Sequence, residues 1–142
     1  TPTNTPTNTP TNTPTATPMA FEGCTPGYWK QPQHFDSWVG YVPSQTVESV
    51  FEVPDSYGLD DDSLLTALDY PGGPGSGGAA RILLRAAVAA VLNASSPDVD
   101  YPLSAAEVIA QVNTALASGS RSVMLSLAWQ LDTYNNQGCP LD

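Results

Sequence analysis

Two cysteines enclose nearly all of this chain that can form a hydrophobic core. Cys24 and Cys139 bracket a segment that, with its short flanks from Met19 onward, holds every Trp, Tyr and Phe of the chain. If the two thiols pair, the disulfide stabilises the enclosed domain by roughly 4–5 kcal/mol in the chain-entropy model and indicates an oxidising compartment. Two unrelated buried thiols are the alternative. A zinc site is disfavoured, because two cysteines need further ligands and the chain has one histidine and no C-x-x-C spacing.

Residues 1–18 form a separate arm with a four-residue repeat. The segment reads TPTNTPTNTPTNTPTATP and carries no charge and no aromatic side chain. It cannot bury apolar surface by itself, so we expect an extended, solvated chain that reaches roughly 55 Å at ~3.1 Å per residue. The chain therefore divides into a stalk or assembly arm at 1–18 and a helical globular domain at 19–142, which is long enough to bury one core.

The prolines of the arm exclude helix and leave two extended conformations open. A β-strand would place every threonine on one face and every proline on one edge, so the other edge could add to a sheet or to a neighbouring subunit. Polyproline II would spread the repeat around all sides of the chain, as in a decorated stalk. A passive linker is the plainer alternative to an assembly arm.

Dense threonine beside proline is typical of O-glycosylated stalks. The candidate O-glycosylation sites are Thr1, Thr3, Thr5, Thr7, Thr9, Thr11, Thr13, Thr15 and Thr17. The arm has no N-glycosylation sequon, and the formal sequon Asn93-Ala94-Ser95 in the domain carries little weight because such tripeptides are common.

The second half of the chain predicts three helices. The first opens at Gly77 or Gly78, ends near Asn93 and is apolar around almost its full circumference, which is typical of a central buried helix. The second begins at the capping box of Ser104 and Glu107 and is stopped by glycine at 119. The third begins at Ser120 and ends at 135–138, with an apolar stripe at Val123, Met124, Leu127, Trp129 and Leu131.

The first half is less regular. Residues 60–69 predict a short helix capped by an aspartate, and residues 71–78 a flexible loop. A further short helix near 43–50 and short strands at 38–42 and 49–53 are competing interpretations. The expected fold is therefore mainly α: a small, disulfide-closed helical domain that carries an extended Thr/Pro/Asn arm.

An aromatic segment follows the first cysteine. It begins C-T-P-G-Y-W-K and supplies four rings, which could either stack on a glycan or pack over the central helix; packing is favoured. The four candidate stacking residues are Tyr28, Trp29, Phe35 and Trp38.

Three segments carry a resemblance to a known family. C-T-P-G-Y-W-K, R-I-L-L-R-A-A-V-A-A-V-L-N-A and N-N-Q-G-C-P-L occur in this order within residues 23–141. Together they resemble a secreted module of bacterial and archaeal surface and matrix proteins that has no established activity. The resemblance implies pairing of Cys24 with Cys139. The family often has His or Asn near the K-Q-P position, where this chain has Gln31 and Gln33, so a catalytic or metal role is not expected there.

The sequence contains no motif that is typical of an enzyme. The single histidine, His34, lies in the aromatic segment without a nucleophile motif, and the glycines match no phosphate-binding fingerprint. Asp60, Asp61 and Asp62, with Asp55 nearby, could bind Ca²⁺, but the EF-hand spacing is absent and a helix cap with solvated charge explains them better. We expect no enzyme, no cofactor and no metal site.

Charge and hydropathy limit the partners. Fourteen acidic residues against four basic ones disfavour nucleic acid and anionic lipid. The most apolar run, 82–92, is short and interrupted by Arg85, so no membrane span is expected. The favoured function is an extracellular, cell-surface structural protein that assembles with copies of itself into a filament or sheath through the arm. A glycan-binding module on a passive linker is the alternative.

Overall fold

The computed structural model describes residues 21–141, which fold into a mainly helical domain. The arm at 1–18, with its nine candidate glycosylation sites and its two candidate conformations, lies outside the described residues. The α-helices are α1 (Pro26–Trp29), α2 (Leu64–Ala67), α3 (Gly75–Ser95), α4 (Ala105–Ser118) and α5 (Arg121–Asn135). Short 3-10 helices lie at Pro32–Ser37, Val47–Ser49 and Asp55–Tyr57.

Helix α3 is the centre of the domain, as its apolar circumference predicts. It packs against α5 and α4, and also against α1 and α2. Its buried residues run almost without interruption from Gly78 to Asn93. By length and composition α3 could also cross a membrane, but 67% of its most apolar window is buried inside the domain. That burial is the environment of a core helix.

The caps of α4 and α5 confirm the sequence-based boundaries. Ser104 accepts a hydrogen bond from the backbone N–H of Glu107, whose side chain accepts one from the Ser104 N–H, so the capping box is complete. Gly119 ends α4 in the left-handed region at φ 67°. Ser120 caps α5 by accepting from the N–H of Val123.

The glycine-rich loop is shorter than predicted, because α3 begins at Gly75. Arg121 donates to the carbonyl oxygens of Gly73 and Gly75 at 2.8 and 2.9 Å, and Ser76 donates to the carbonyl of Gly119. These contacts from the α4–α5 turn organise a segment whose local composition indicates a loop.

Other local predictions fail in the first half. No strand forms at 38–42 or 49–53; among the described residues, β-pairing is limited to isolated bridges at Gly23–Gly138 and Thr46–Ser63. Ser63, and not an aspartate, caps α2 by accepting from the N–H of Thr66. The helix predicted near 43–50 is reduced to a single 3-10 turn.

The apolar stripe of α5 is also narrower than predicted. Met124, Ala128 and Leu131 are buried, whereas Trp129 is 66% exposed. At 100° per residue, Trp129 lies about 140° around the helix from Met124, so it cannot share the buried stripe. Val123 is exposed as well.

A buried polar network joins the three sequence segments that carry the family resemblance. The Asn93 side chain on α3 accepts from the Cys24 N–H at 2.8 Å and from Trp29 Nε1 at 3.2 Å, and it donates to the Cys24 carbonyl oxygen at 2.8 Å. It also donates to Oδ1 of Asn135, which is on α5. Asn93 and Asn135 have no exposed surface. Asn93, the asparagine of the formal N-glycosylation sequon, is therefore a buried structural residue in the folded domain.

The network is completed from Asn135. Its Oδ1 accepts from the Tyr101 hydroxyl at 2.7 Å, and its Nδ2 donates to the carbonyl oxygen of Ala86 at 3.1 Å. Every polar atom of both asparagine side chains thus has a partner, which is the condition for burying them at low cost.

The disulfide between Cys24 and Cys139 closes the domain beside this network. It joins residues that are 115 apart in sequence, with the two Cα atoms 4.5 Å apart. Gly23 donates to the carbonyl oxygen of Gly138 at 3.0 Å. A Cβ on Gly23 would collide with the carbonyl oxygen of Tyr134, so only glycine permits this approach. The predicted pairing of the cysteines is confirmed.

We expect Asn93→Ala to lower the free energy of unfolding by about 3–5 kcal/mol. The substitution leaves the N–H and the carbonyl oxygen of Cys24 and the indole N–H of Trp29 without this hydrogen-bond partner, and each unsatisfied buried group costs about 1–3 kcal/mol. Urea denaturation of the oxidised protein measures this loss. The control is Asn136→Ala, at an exposed asparagine, which should cost less than about 1 kcal/mol. Equal losses in the two variants would show that the buried network is not a principal source of stability.

Candidate functional site

The aromatic segment begins on α1, which starts two residues after Cys24. Thr25 caps the helix by accepting from the Tyr28 N–H, and Pro26 occupies its first turn. This start places Trp29 with 0% of its surface exposed and its indole N–H on Asn93. Trp29 is therefore fixed in the core by packing and by the polar network.

The other predicted rings pack onto Trp29 and onto one another. Trp38 is buried and donates from Nε1 to the Trp29 carbonyl oxygen at 3.2 Å. Tyr28 meets Trp29 edge to face at 5.1 Å, and Phe35 meets Trp38 at 5.9 Å. The imidazole of His34 stacks on Tyr28, with ring centroids 3.9 Å apart. The rings thus pack against one another and against the core.

A sugar needs an open ring face to stack on. The face of Trp29 is covered completely, and those of Tyr28 and Trp38 are almost covered; only Phe35 stays partly open. The four rings therefore offer no continuous platform in this structure. Glycan binding by the domain stays a prediction, and it requires another surface.

Such a surface begins at the residue after Trp29. Lys30 forms the one ion pair found within residues 21–141, from Nζ to Oδ1 of Asp69 at 2.9 Å, and both side chains face solvent. Lys30 and Asp69 both line two open depressions of the surface. The larger, of about 590 Å³, is lined by Lys30, Gln31, Pro32, Leu65, Thr66, Asp69, Tyr70 and Pro71.

The second depression, of about 380 Å³, is more polar. It is lined by Thr25, Pro26, Gly27, Lys30, Leu68, Asp69, Arg85, Asp132 and Asn136. We call the two depressions together the Lys30 cleft. Two of the four basic residues of the chain, Lys30 and Arg85, lie here beside two acids, Asp69 and Asp132, so these charges cancel. The cleft is close to neutral on a domain that is otherwise strongly acidic.

The chemistry of the Lys30 cleft suits a polyhydroxylated ligand. Amide, hydroxyl and charged side chains offer donors and acceptors, and Pro32, Tyr70 and Pro71 supply apolar wall. Concave sites of about 300–1,000 Å³ are the usual size for small ligands. Of these residues, those at 25–31 lie in the aromatic segment, Arg85 lies in the second resemblance segment and Asn136 lies in the third. Only the fold brings them together with Asp69.

Two aspartates of the predicted acidic segment lie close to Glu48, a residue that no sequence motif indicates. Carboxylate oxygens of Glu48, Asp60 and Asp61 lie within 4.8 Å of one another. Desolvation, followed by the negative charges of Asp60, Asp61 and Asp55, raises the pKa of Glu48. Exposed acids also converge in this way without an ion, so the cluster does not by itself define a Ca²⁺ site.

Asp62 has a separate structural role. Its Oδ2 accepts from the hydroxyl of Tyr70 at 2.6 Å. Burial, then this hydrogen bond, raises the pKa of Tyr70. Burial, then the neighbouring Tyr134 and Asp132, raises the pKa of Tyr101. Both phenols are structural donors in the folded domain.

Comparisons with protein-family models, with curated proteins and with solved structures found no match to this chain. The family resemblance and the absence of enzymatic activity therefore stay predictions. The disulfide is consistent with an oxidising, extracellular environment.

The hydrogen-bonded phenols of Tyr70 and Tyr101 predict a loss of stability at high pH. Free tyrosine ionises near pH 10, so in the unfolded chain Tyr70 and Tyr101 lose their protons there while the folded chain keeps them. Stability should be constant with respect to these groups below that pH and fall as the pH rises further. Urea midpoints measured from pH 9 to 11 test this.

Tyr101→Phe should flatten the alkaline decline, although it lowers stability at every pH by removing a hydrogen bond to Asn135. The slope against pH, and not the absolute midpoint, is therefore the quantity to compare. A slope identical to that of the parent protein would contradict the assignment.

Proposed function

We propose that this chain is a subunit of an extracellular filament or sheath at the cell surface, in which the arm at 1–18 contacts neighbouring copies and carries O-linked glycans. The observation that supports this most directly is the attachment of the arm. The described chain begins at Phe21, two residues before the Gly23–Gly138 bridge and three before the disulfide.

The base of the arm is held from several directions. Glu22 donates its backbone N–H to the carbonyl oxygen of Asp100 at 2.9 Å, and its side chain accepts from the Asp100 N–H at 2.9 Å. Gly23 is bonded to Gly138, and Cys24 is bonded covalently to Cys139. These contacts define a fixed point from which the arm departs.

This attachment suits a chain under tension. A pull on the arm enters the domain at Cys24, where the disulfide to Cys139 ties the two ends of the enclosed segment together covalently. A domain that holds its shape while its ends are pulled is suited to a polymer, and contacts between copies that do not close into a ring generate an open filament.

The uncharged arm also suits self-association. A domain with a net charge of −10 repels its own copies. Contacts through a segment without charge avoid that repulsion, and threonine hydroxyls that carry glycans would keep the exposed parts of the arm hydrated.

Deletion of residues 1–18 should abolish polymers and leave the domain folded, because the hydrogen bonds and the disulfide at its base come from residues 22–139. Electron microscopy in negative stain detects the polymers, and circular dichroism with urea denaturation checks the fold. The matched control replaces the arm by a Gly/Ser segment of equal length. Filaments that persist in the deletion variant would contradict the proposal.

A second candidate function is glycan binding, and the Lys30 cleft is the observation that favours it. The near-zero charge of its lining matches a neutral polysaccharide better than an anionic one. In this interpretation the arm is a passive linker, and the domain binds sugars through the cleft and not through the rings of Trp29 and Trp38.

Gln31→Ala should weaken retention on a neutral polysaccharide about fivefold, because one hydrogen bond contributes about 1 kcal/mol. Gln31 is exposed, so the fold should persist. Gln130→Ala, at an exposed glutamine outside the cleft, is the control. Retention unchanged by Gln31→Ala, or reduced equally by both changes, would count against the cleft.

A further inference from the structure

An uncharged groove lies between α4 and α5, on a part of the surface that the Lys30 cleft does not include. It has a volume of about 370 Å³ and is lined by Ala110, Gln111, Thr114, Ala115, Val123 and Leu127. We call it the α4–α5 groove. Val123 is 45% exposed, and Leu127 is half-buried against the core. No acidic or basic side chain lines the groove, although the chain has fourteen acids.

We propose that the α4–α5 groove is the binding surface for the arm at 1–18. This inference rests on the proposed function and names the acceptor for the arm. Neither the arm nor the lining of the groove has a charged side chain, so no charge has to be desolvated when the two come together. The proline rings and threonine methyl groups of the arm are the apolar surface that the aliphatic lining can cover, while Gln111 and Thr114 can hydrogen-bond to its backbone.

The fold also decides between the two modes of docking. Addition of the arm as a β-strand needs an exposed strand edge, and residues 21–141 contain only isolated bridges and no strand. Docking of a pre-extended, proline-rich chain into a groove needs no edge, and the stiffness of such a chain lowers the entropy lost on binding. The polyproline II alternative is therefore the one that this domain can accept.

The arm is long enough to reach the groove. Twenty residues precede Phe21, and at ~3.1 Å per residue they span about 60 Å. Gly23 lies against Tyr134 near the end of α5, about 16 Å along the helix from Val123 at 1.5 Å per residue. The arm can therefore reach the groove of its own domain or of an adjoining copy, and three successive TPTN units give it several equivalent registers.

Photo-crosslinking in the full-length, oxidised chain tests the assignment. A benzoyl-phenylalanine at position 123 should form crosslinks to residues 1–18, located by mass spectrometry, and excess synthetic peptide of the arm sequence should suppress them. The matched control carries the same group at position 42, because Val42 is 55% exposed and does not line the groove. Crosslinks to the arm that are as frequent from position 42, or crosslinks from 123 only to other parts of the domain, would overturn the assignment.

Mixing light and heavy nitrogen-labelled chains separates this inference from the proposed function. Crosslinks that combine the two labels support both. Crosslinks confined to one label support the groove as the arm's binding surface but remove the arm as a link between copies. Polymers that form with no crosslink from 123 to the arm leave the filament proposal standing and overturn the groove. In addition, Val123→Asp should release the arm in the full-length chain, whereas Val42→Asp should not.

Discussion

The domain depends on one buried amide. The side chain of Asn93 binds both backbone polar groups of Cys24, the indole of Trp29 and the amide of Asn135, and thus ties the entry of the chain, the central helix and the final helix to one point. Hydrogen bonds are directional, so the network selects one arrangement of these elements where apolar packing alone would tolerate several. The disulfide lies beside this point and makes the same closure covalent.

This construction separates the interior from the surface. The interior is closed by Asn93, by the Cys24–Cys139 bond and by α3, which is buried along most of its length. The surface has two depressions, the Lys30 cleft and the α4–α5 groove, whose lining is balanced in charge or has none. On a molecule with net charge −10, another molecule can approach these places at a low electrostatic cost.

The two surfaces differ in how far sequence reasoning could find them. The apolar pattern of α5 places Val123 in the buried stripe together with Met124, because the sequence does not say which of two adjacent apolar residues faces the neighbouring helix. The packing of α5 against α3 selects Met124, Ala128 and Leu131, and leaves Val123 at the groove and Trp129 in solvent. Asp69 and Arg85 are distant from Lys30 in the sequence, so their position beside it is a property of the fold.

Local signals in the sequence determined the helical class, both caps of α4 and the start of α5, because capping residues and apolar periodicity act within a few residues of one another. Tertiary structure decided what depends on distant partners. The loop at 71–78 became partly helical through Arg121 and Ser76, and the indoles of Trp29 and Trp38 are held in the core by Asn93 and by the carbonyl oxygen of Trp29. A residue's neighbours in sequence say which element it prefers, but its burial and its partners are set by the elements packed against it.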